Sequence, residues 1–263
     1  MAAIMYFSGI DIGSNTTKAV IISNGKIVGR YITKTGGSVR KTVAMVYQKA
    51  LEHAGITESD IAGSISTGYG RKLASMANKQ VTEISCFARG AYELHRKTRT
   101  LIDIGGQDSK AIRISSEGRV VDFEMNDKCS AGTGKFLEVM SKTLETELSA
   151  MGDIVVKAET FVPISSTCTV FAESEVISRI SEGAPRDHIL AGLHKSMTSK
   201  VVGLVKRIGV EQDVLMAGGV AYNKGIVHYL SELLETKVKV ARDPQMVGAL
   251  GAALLAQEQY SAE

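Results

Sequence analysis

Two stretches of the chain repeat one pattern. Residues 9–22 read GIDIGSNTTKAVII, and residues 101–114 read LIDIGGQDSKAIRI. Each predicts a strand with an aspartate near its end, a polar turn that contains glycine, and a second strand. The aspartate and the lysine that follows it are seven residues apart in both copies. This matched spacing indicates an internal duplication, and we predict two homologous hairpins that face each other across a nucleotide-binding cleft.

The two turns supply most of the predicted nucleotide site, because their backbone N–H groups and hydroxyls suit phosphate. Asp11, Asp103 and Gln107 are the predicted catalytic residues. The aspartates would hold Mg²⁺ through water or position the attacking water, and Asp11 is the predicted metal contact. Lys18 would neutralise phosphate charge. The full predicted set of nucleotide contacts is Gly13, Ser14, Asn15, Thr16, Thr17, Lys18, Gly105, Gly106, Gln107, Gly132, Gly218, Gly219 and Gln245.

A single aspartate–glycine turn would equally fit an ordinary hairpin. The duplication favours a nucleotide instead, and a third pattern supports it, because residues 217–223 predict a strand end, a Gly-Gly turn and a helix start. Gly218 and Gly219 would let the backbone approach the ribose and the adenine, and Gln245 would contact the base.

Two further stretches each place a cysteine among polar residues. Residues 126–136 read NDKCSAGTGKF, and residues 165–173 read SSTCTVFAE. We predict that Cys129 and Cys168 each lie at the first turn of a helix. Unpaired N–H groups and the positive end of the helix dipole favour a thiolate at such a position.

The chemistry of these cysteines has two interpretations. Free cysteine is among the most buried residue types, so either one alone would fit core packing, as we predict for Cys86. The polar neighbours of Cys129 and Cys168 favour instead the ligands of an anionic metal cluster. A four-cysteine cluster needs more thiols than these two supply, and a symmetric dimer would contribute two from each subunit.

The composition narrows the class of protein. The 263 residues are 44% hydrophobic with a mean hydropathy of +0.05, which predicts a soluble globular protein. No apolar run approaches the roughly 18 residues of a membrane span, so no membrane association is expected. The net charge of +3 comes without a basic stripe and argues against nucleic-acid binding. Three cysteines, an odd number, favour a reducing cytoplasm over a disulfide framework.

Between and after the repeats, the pattern of apolar residues predicts an α/β protein. A short strand is expected at 81–84, and the last helix is rich in glycine and alanine, so something should pack closely against it. We predict two lobes, residues 1–95 and 96–263, and leave open whether the last helix crosses back to the first lobe. The predicted helices cover residues 38–53, 88–96, 134–150, 169–181, 189–208, 222–234 and 247–257.

These motifs resemble those of known ATPases. The two hairpins and the Gly-Gly turn are similar to the actin, sugar-kinase and Hsp70 superfamily, which implies a duplicated ribonuclease-H-like fold with two lobes. The stretches NDKCSAGTG (126–134) and SSTCTVFAESE (165–175) resemble motifs of the ATP-dependent activators of 2-hydroxyacyl-CoA dehydratases. Related ATPase subunits occur in ATP-dependent benzoyl-CoA reductase.

The resemblance implies a cofactor set and partners. It implies a homodimer with one [4Fe–4S] cluster between the subunits, held by Cys129 and Cys168 of each, together with ATP and Mg²⁺. It further implies reduction by ferredoxin or flavodoxin and ATP-driven one-electron transfer to a 2-hydroxyacyl-CoA dehydratase.

Two other functions fit the same ATPase superfamily. A small-molecule kinase predicts phosphate transfer to a sugar or acid and no metal, and it leaves both cysteine motifs unused. A chaperone-like or filament-forming module predicts polymers or peptide-stimulated turnover, and no substrate domain is evident for it.

Overall fold

The computed structural model describes residues 4–165 and 168–261. Ser166 and Thr167, which belong to the second cysteine stretch, lie outside the described residues. The chain divides into two compact units. Within the described residues, the first unit contains 4–97, 114–120 and 245–261, and the second contains 98–113 and 121–244. The lobe boundaries predicted above stay a prediction.

Strands and helices are interspersed along the chain, in agreement with the α/β prediction. The strands are β1 (Tyr6–Ile12), β2 (Thr16–Ser23), β3 (Lys26–Lys34), β4 (Ile61–Thr67), β5 (Lys79–Gln80), β6 (Thr100–Ile104), β7 (Ser109–Ile114), β8 (Val120–Asn126), β9 (Val214–Ala217) and β10 (Val238–Val240). The helices are α1 (Val39–Ala54), α2 (Glu83–Leu94), α3 (Gly134–Thr143), α4 (Met151–Val155), α5 (Thr169–Ser181), α6 (Arg186–Ile208), α7 (Lys224–Leu233) and α8 (Val247–Tyr260). No helix in the described ranges is long and apolar enough to cross a membrane.

The two sheets have the same strand order, which confirms the internal duplication. One runs β3-β2-β1-β4-β5, and the other, taken from its hairpin side, runs β8-β7-β6-β9-β10. In each sheet the central strand is antiparallel to its hairpin partner and parallel to the strand on its other side. Each sheet therefore brings the end of its central strand next to the end of one parallel neighbour.

The last helix packs closely against its own unit, as its small residues predict. A Cβ atom built on Gly251 would collide with the carbonyl oxygen of Cys86 in α2, and one built on Gly9 of β1 would collide with the backbone of α8 at Ala249. Cys86 itself is fully buried, and burial raises the pKa of its thiol to about 12. The prediction that Cys86 is a packing residue is confirmed.

Four element predictions are wrong in detail. The helix predicted at 88–96 begins at Glu83 and ends at Leu94. Residues 81–84 are no strand, because Thr82 caps α2 and its side chain accepts a hydrogen bond from Ser85 N. The helix predicted at 134–150 ends at Thr143, since Glu145 has φ 47° and breaks the helical path before α4. The helix predicted from residue 222 begins at Lys224, after Asn223 has capped it.

Helix α6 runs through the core of the second unit and carries a buried histidine. His194 is 0% exposed. Its Nδ1 lies 2.8 Å from the Leu190 carbonyl oxygen, and its Nε2 lies 3.0 Å from Asn223 Nδ2. A neutral ring satisfies both contacts, with Nδ1–H donating and Nε2 accepting. Burial lowers the pKa of His194 to about 4.

This histidine predicts a loss of stability in mild acid. Above pH 6.5 the ring is neutral in both the folded and the unfolded chain, and the stability is fully present. As the pH falls from 6.5 towards 4, His194 becomes protonated in the unfolded chain but stays neutral in the folded chain. This difference lowers the free energy of unfolding by about 3 kcal/mol at the lower pH. Denaturant unfolding at pH 7.5 and at pH 5 gives the free energy of unfolding at each pH. Between these two values it should fall less for His194→Gln than for the wild type. An equal fall in both proteins would show that His194 is not the cause of the acid sensitivity.

Candidate functional site

The two aspartate turns share one geometry. Strand pairing sets Asp11 opposite Lys18 and Asp103 opposite Lys110. Lys18 Nζ donates to Asp11 Oδ2 at 3.1 Å, and Lys110 Nζ donates to Asp103 Oδ2 at 3.2 Å. The aspartates are only 3% and 2% exposed. Each unit therefore holds a buried carboxylate–ammonium pair near the end of its central strand.

Both turns are closed by the same backbone hydrogen bond. Gly13 N donates to Thr16 O at 3.0 Å, and Gly105 N donates to Asp108 O at 2.9 Å. The two turns differ next to this hydrogen bond. In the second turn, Lys110 forms an additional ion pair with Asp108 at 2.8 Å. In the first copy the Gly13 carbonyl accepts a hydrogen bond from Thr35 Oγ1 at 2.7 Å instead.

The predicted nucleotide contacts differ in accessibility, and their roles stay predictions. Thr17 is fully buried, and its hydroxyl lies 3.1 Å from that of Thr35, so in this structure it supports the turn. Among the others, Ser14, Gln107 and Gly219 are exposed; Gly13, Asn15, Thr16, Gly105, Gly106 and Gln245 are half-buried; Lys18, Gly132 and Gly218 are buried.

The duplication extends to a glycine that the sequence analysis missed. Gly68 follows β4 with φ 90°, and Gly218 follows β9 with φ 84°. A Cβ atom at Gly68 would press on Asp11 Oδ1, and one at Gly218 would press on Asp103 Oδ1. Both positions need glycine because the backbone is left-handed and passes against the buried carboxylate of its unit. The signal that could have revealed Gly68 is a glycine directly after a buried strand, in the STGYG stretch at 66–70.

The second turn is hydrogen-bonded to the start of α3. Gly134 N donates to Gly105 O at 2.9 Å, and Lys135 N donates to Gly106 O at 2.8 Å. The first N–H groups of a helix have no partner within the helix. Here two of them bind the carbonyls of the predicted phosphate turn, so a displacement of that turn would act directly on α3.

Cys129 lies in the loop before α3, not in its first turn, so this part of the prediction is wrong. The side chain of Asn126 brackets it, with Nδ2 donating to Cys129 O at 2.7 Å and Oδ1 accepting from Cys129 N at 3.2 Å. Thr133 occupies the cap of α3 instead. The reason is an intervening turn, in which Thr133 N binds Ser130 O and Gly132 adopts φ 109°.

Cys168 occupies the cap of α5, as predicted. The two cysteine segments adjoin, because the hydroxyls of Ser130 and Thr169 lie 2.9 Å apart. Both thiols are exposed, whereas that of Cys86 is buried. The second unit therefore presents two accessible thiols on segments that are joined by one hydrogen bond.

A cavity of about 400 Å³ opens beside Cys129, and its charged residues are mainly basic. Arg207 at its rim pairs with Glu124 at 3.3 Å, while Lys128 is exposed. The lining residues are Ser109, Met125, Asn126, Asp127, Lys128, Cys129, Ala131, Lys200, Leu204 and Arg207.

This donor set fits half of an anionic iron–sulfur cluster. Two exposed thiols with cations beside them suit thiolate ligands. Within residues 4–165 and 168–261, no three or more His, Cys, Asp or Glu side chains group as metal ligands. A four-cysteine site would need two thiolates besides Cys129 and Cys168.

Comparison with known proteins identifies the family. The sequence profile of the BadF/BadG/BcrA/BcrD ATPase family matches residues 8–256. The chain belongs to this family. It is therefore an ATPase, and the family predicted from the motifs is confirmed. A relative in the family, the activator of lactoyl-CoA dehydratase from Anaerotignum propionicum, is 52% identical over 97% of this chain and 98% of its own length.

Solved structures of family members agree in fold. Component A of (R)-2-hydroxyglutaryl-CoA dehydratase from Acidaminococcus fermentans is 44% identical, with a TM-score of 0.94 over 98% of this chain and 99% of that one. The activator of 2-hydroxyisocaproyl-CoA dehydratase from Clostridium difficile, solved with bound ADPNP, is 47% identical with a TM-score of 0.92, over 98% of this chain and 96% of that one.

A glucokinase of the ROK family from Streptomyces griseus shares the fold alone, at 12% identity and a TM-score of 0.63 over 97% of this chain and all of that one. The predicted fold class, an α/β duplicated ribonuclease-H-like ATPase of the actin and sugar-kinase type, is confirmed.

Proposed function

We propose that this ATPase activates a 2-hydroxyacyl-CoA dehydratase by ATP-driven transfer of one electron from a [4Fe–4S] cluster shared by two copies of the chain. The observation that carries the proposal is the pair of hydrogen bonds from Gly134 and Lys135 to Gly105 and Gly106. They tie the predicted phosphate turn to the segment that holds Cys129. A kinase has no use for such a link between its phosphate turn and an exposed thiol.

The two duplicated turns bind ATP and carry out its hydrolysis. ATP and Mg²⁺ bind at the contacts predicted above, with Asp11 on the metal side and Gln107 near the terminal phosphate. Asp103 positions the attacking water, and Lys18 and Lys110 hold the two carboxylates in place through their ion pairs. The products are ADP and phosphate.

The cysteines hold the cluster that transfers the electron. Cys129 and Cys168 of each chain supply the four thiolates in a homodimer. When bound, the cluster accepts one electron from a reduced ferredoxin or flavodoxin and passes it to the dehydratase. Loss of the γ-phosphate changes the contacts of the second turn, and α3 and the Ser130–Thr169 contact transmit that change to both thiolates. The exposed thiols require a reducing compartment, which we take to be the cytoplasm.

The proposal is tested by dehydration assays without oxygen. The reduced protein is mixed with the lactoyl-CoA, 2-hydroxyisocaproyl-CoA or (R)-2-hydroxyglutaryl-CoA dehydratase that the relatives' names specify. We expect at least one enzyme to dehydrate its substrate only when both this protein and Mg–ATP are present. We also expect Mg–ATP to change the rate at which a chelator removes iron. The proposed function would be overturned if none of the three dehydratases became active and Mg–ATP did not change the rate of iron removal.

The contact between the cysteine segments predicts an uncoupling variant. Ser130→Ala and Thr169→Val each remove the hydrogen bond between the segments. A hydrogen bond contributes about 1 kcal/mol, so we expect about fivefold fewer electrons delivered per ATP hydrolysed, with hydrolysis itself unchanged. Ser174→Ala is the matched control, because that hydroxyl also lies on α5 and donates to the Val170 carbonyl at 3.4 Å. Unchanged coupling in both variants would refute this path.

A further inference from the structure

Lys200 on α6 lies beside the cysteine segments without a role in the function proposed so far. It lines the cavity with Cys129 and Ser109. A Cβ atom built on Gly132 would lie 3.8 Å from Lys200 Cβ, so α6 passes directly beneath the turn that follows Cys129. The position is rigid, because the neighbouring Met197 and Val201 are buried in the core.

Lys200 lies within electrostatic range of both cysteines. Partial burial lowers the pKa of the Lys200 ammonium, and a negative charge at Cys129 or Cys168 would raise it. The side chain is half-buried, so water and salt screen its field less than that of an exposed lysine. Two other cations of the cavity, Lys128 and Arg207, are both exposed.

We propose that Lys200 is a positioning residue whose fixed positive charge, shared by Cys129 and Cys168, raises the reduction potential of the cluster that these thiolates hold. This inference rests on the proposed function. Adding an electron to a thiolate-bound cluster increases its negative charge, and a nearby half-buried cation favours that reduced state. A symmetric dimer places one Lys200 on each side, so a single substitution removes both charges.

The test is a redox titration without nucleotide or partner, followed by the visible and electron paramagnetic resonance spectra of the cluster. At the potential where half of the wild-type clusters are reduced, Lys200→Met should show a ratio of reduced to oxidised cluster about tenfold lower, equivalent to about 59 mV for one electron. Lys200→Arg keeps the charge and should stay within about twofold of the wild type by the same conversion. Iron content is measured for every sample.

Lys195→Met is the matched control, since Lys195 lies on the same helix and pairs with Glu232 at 3.4 Å. It removes the same charge from the chain and should leave the ratio unchanged. An unchanged ratio in Lys200→Met, or an equal fall in Lys195→Met, would overturn the inference.

Iron content separates the remaining outcomes. If Lys200→Met loses its iron while Lys200→Arg keeps iron and the wild-type ratio, the charge retains the cluster rather than setting its potential, and the inference is overturned. Loss of iron from both variants would show a steric role and overturn it. A wild-type protein that holds no cluster would instead sink the proposed function itself.

Discussion

Cys129→Ser should fold and hydrolyse ATP, yet contain no [4Fe–4S] cluster and activate no dehydratase. The thiol is exposed and lies in a loop, so its loss leaves the core intact. Serine is a much poorer ligand for cluster iron than a thiolate, because its hydroxyl gives up its proton far less readily than a thiol. We expect Cys168→Ser to behave alike, since the proposed site takes one pair of thiolates from each chain. Iron and acid-labile sulfide analysis after anaerobic reconstitution measures the effect.

Cys86→Ala provides the control for these two variants. Its thiol is buried in the first unit against α8, and its raised pKa keeps it protonated. The variant should keep its full iron content and lose only a small amount of stability. Full iron in Cys129→Ser, or loss of iron in Cys86→Ala, would contradict the assignment of the ligands.

Asp11→Asn has the second largest expected effect. The substitution removes the charge that would hold Mg²⁺, so ATP hydrolysis should fall roughly 100-fold or more. It also leaves the buried ammonium of Lys18 without its carboxylate, and we expect the free energy of unfolding to fall by about 3 kcal/mol. Steady-state phosphate release and denaturant unfolding measure the two effects separately.

Substitution of a surface aspartate in the same unit is the control for the loss of one negative charge. Asp60 is exposed and accepts hydrogen bonds from the backbone N–H and the hydroxyl of Thr57. Asp60→Asn should keep the wild-type rate of hydrolysis. If Asp11→Asn hydrolysed ATP at that rate too, the nucleotide site would have to lie elsewhere.

The duplicated part of the fold could be predicted because it repeats along the sequence. The seven-residue spacing between Asp11 and Lys18 recurs at Asp103 and Lys110, and each pair meets across one antiparallel register. The role of Gly68 was not predicted from the sequence, because a glycine after a strand is common in turns. Only the strand pairing, which brings it against Asp11, reveals its relation to Gly218.

The cysteine segments show what local patterns leave out. Glycine and threonine after Cys129 were compatible with a helix start, but φ 109° at Gly132 delays the helix to residue 134. The contacts that matter most are long-range in sequence: those of α3 with the second turn, and that of Ser130 with Thr169. No periodicity or propensity specifies such pairs, since they depend on how the strands and helices of the second unit pack.

The proposed coupling path and the proposed ligand set together imply a shared cluster in a dimer. Each chain would contribute its two exposed thiols, and the second turn would reach both of them through α3 and the Ser130–Thr169 contact. A monomer with its own complete cluster would need further ligands, and none group together in the described residues.

Native mass spectrometry of protein purified without oxygen tests the central claim most directly. The proposed function predicts one species with the mass of two chains plus a single [4Fe–4S] cluster, and this species should become a metal-free form when Cys129 is replaced by serine. A metal-free wild-type protein after anaerobic reconstitution with iron and sulfide, or a monomer that carries a complete cluster, would contradict it.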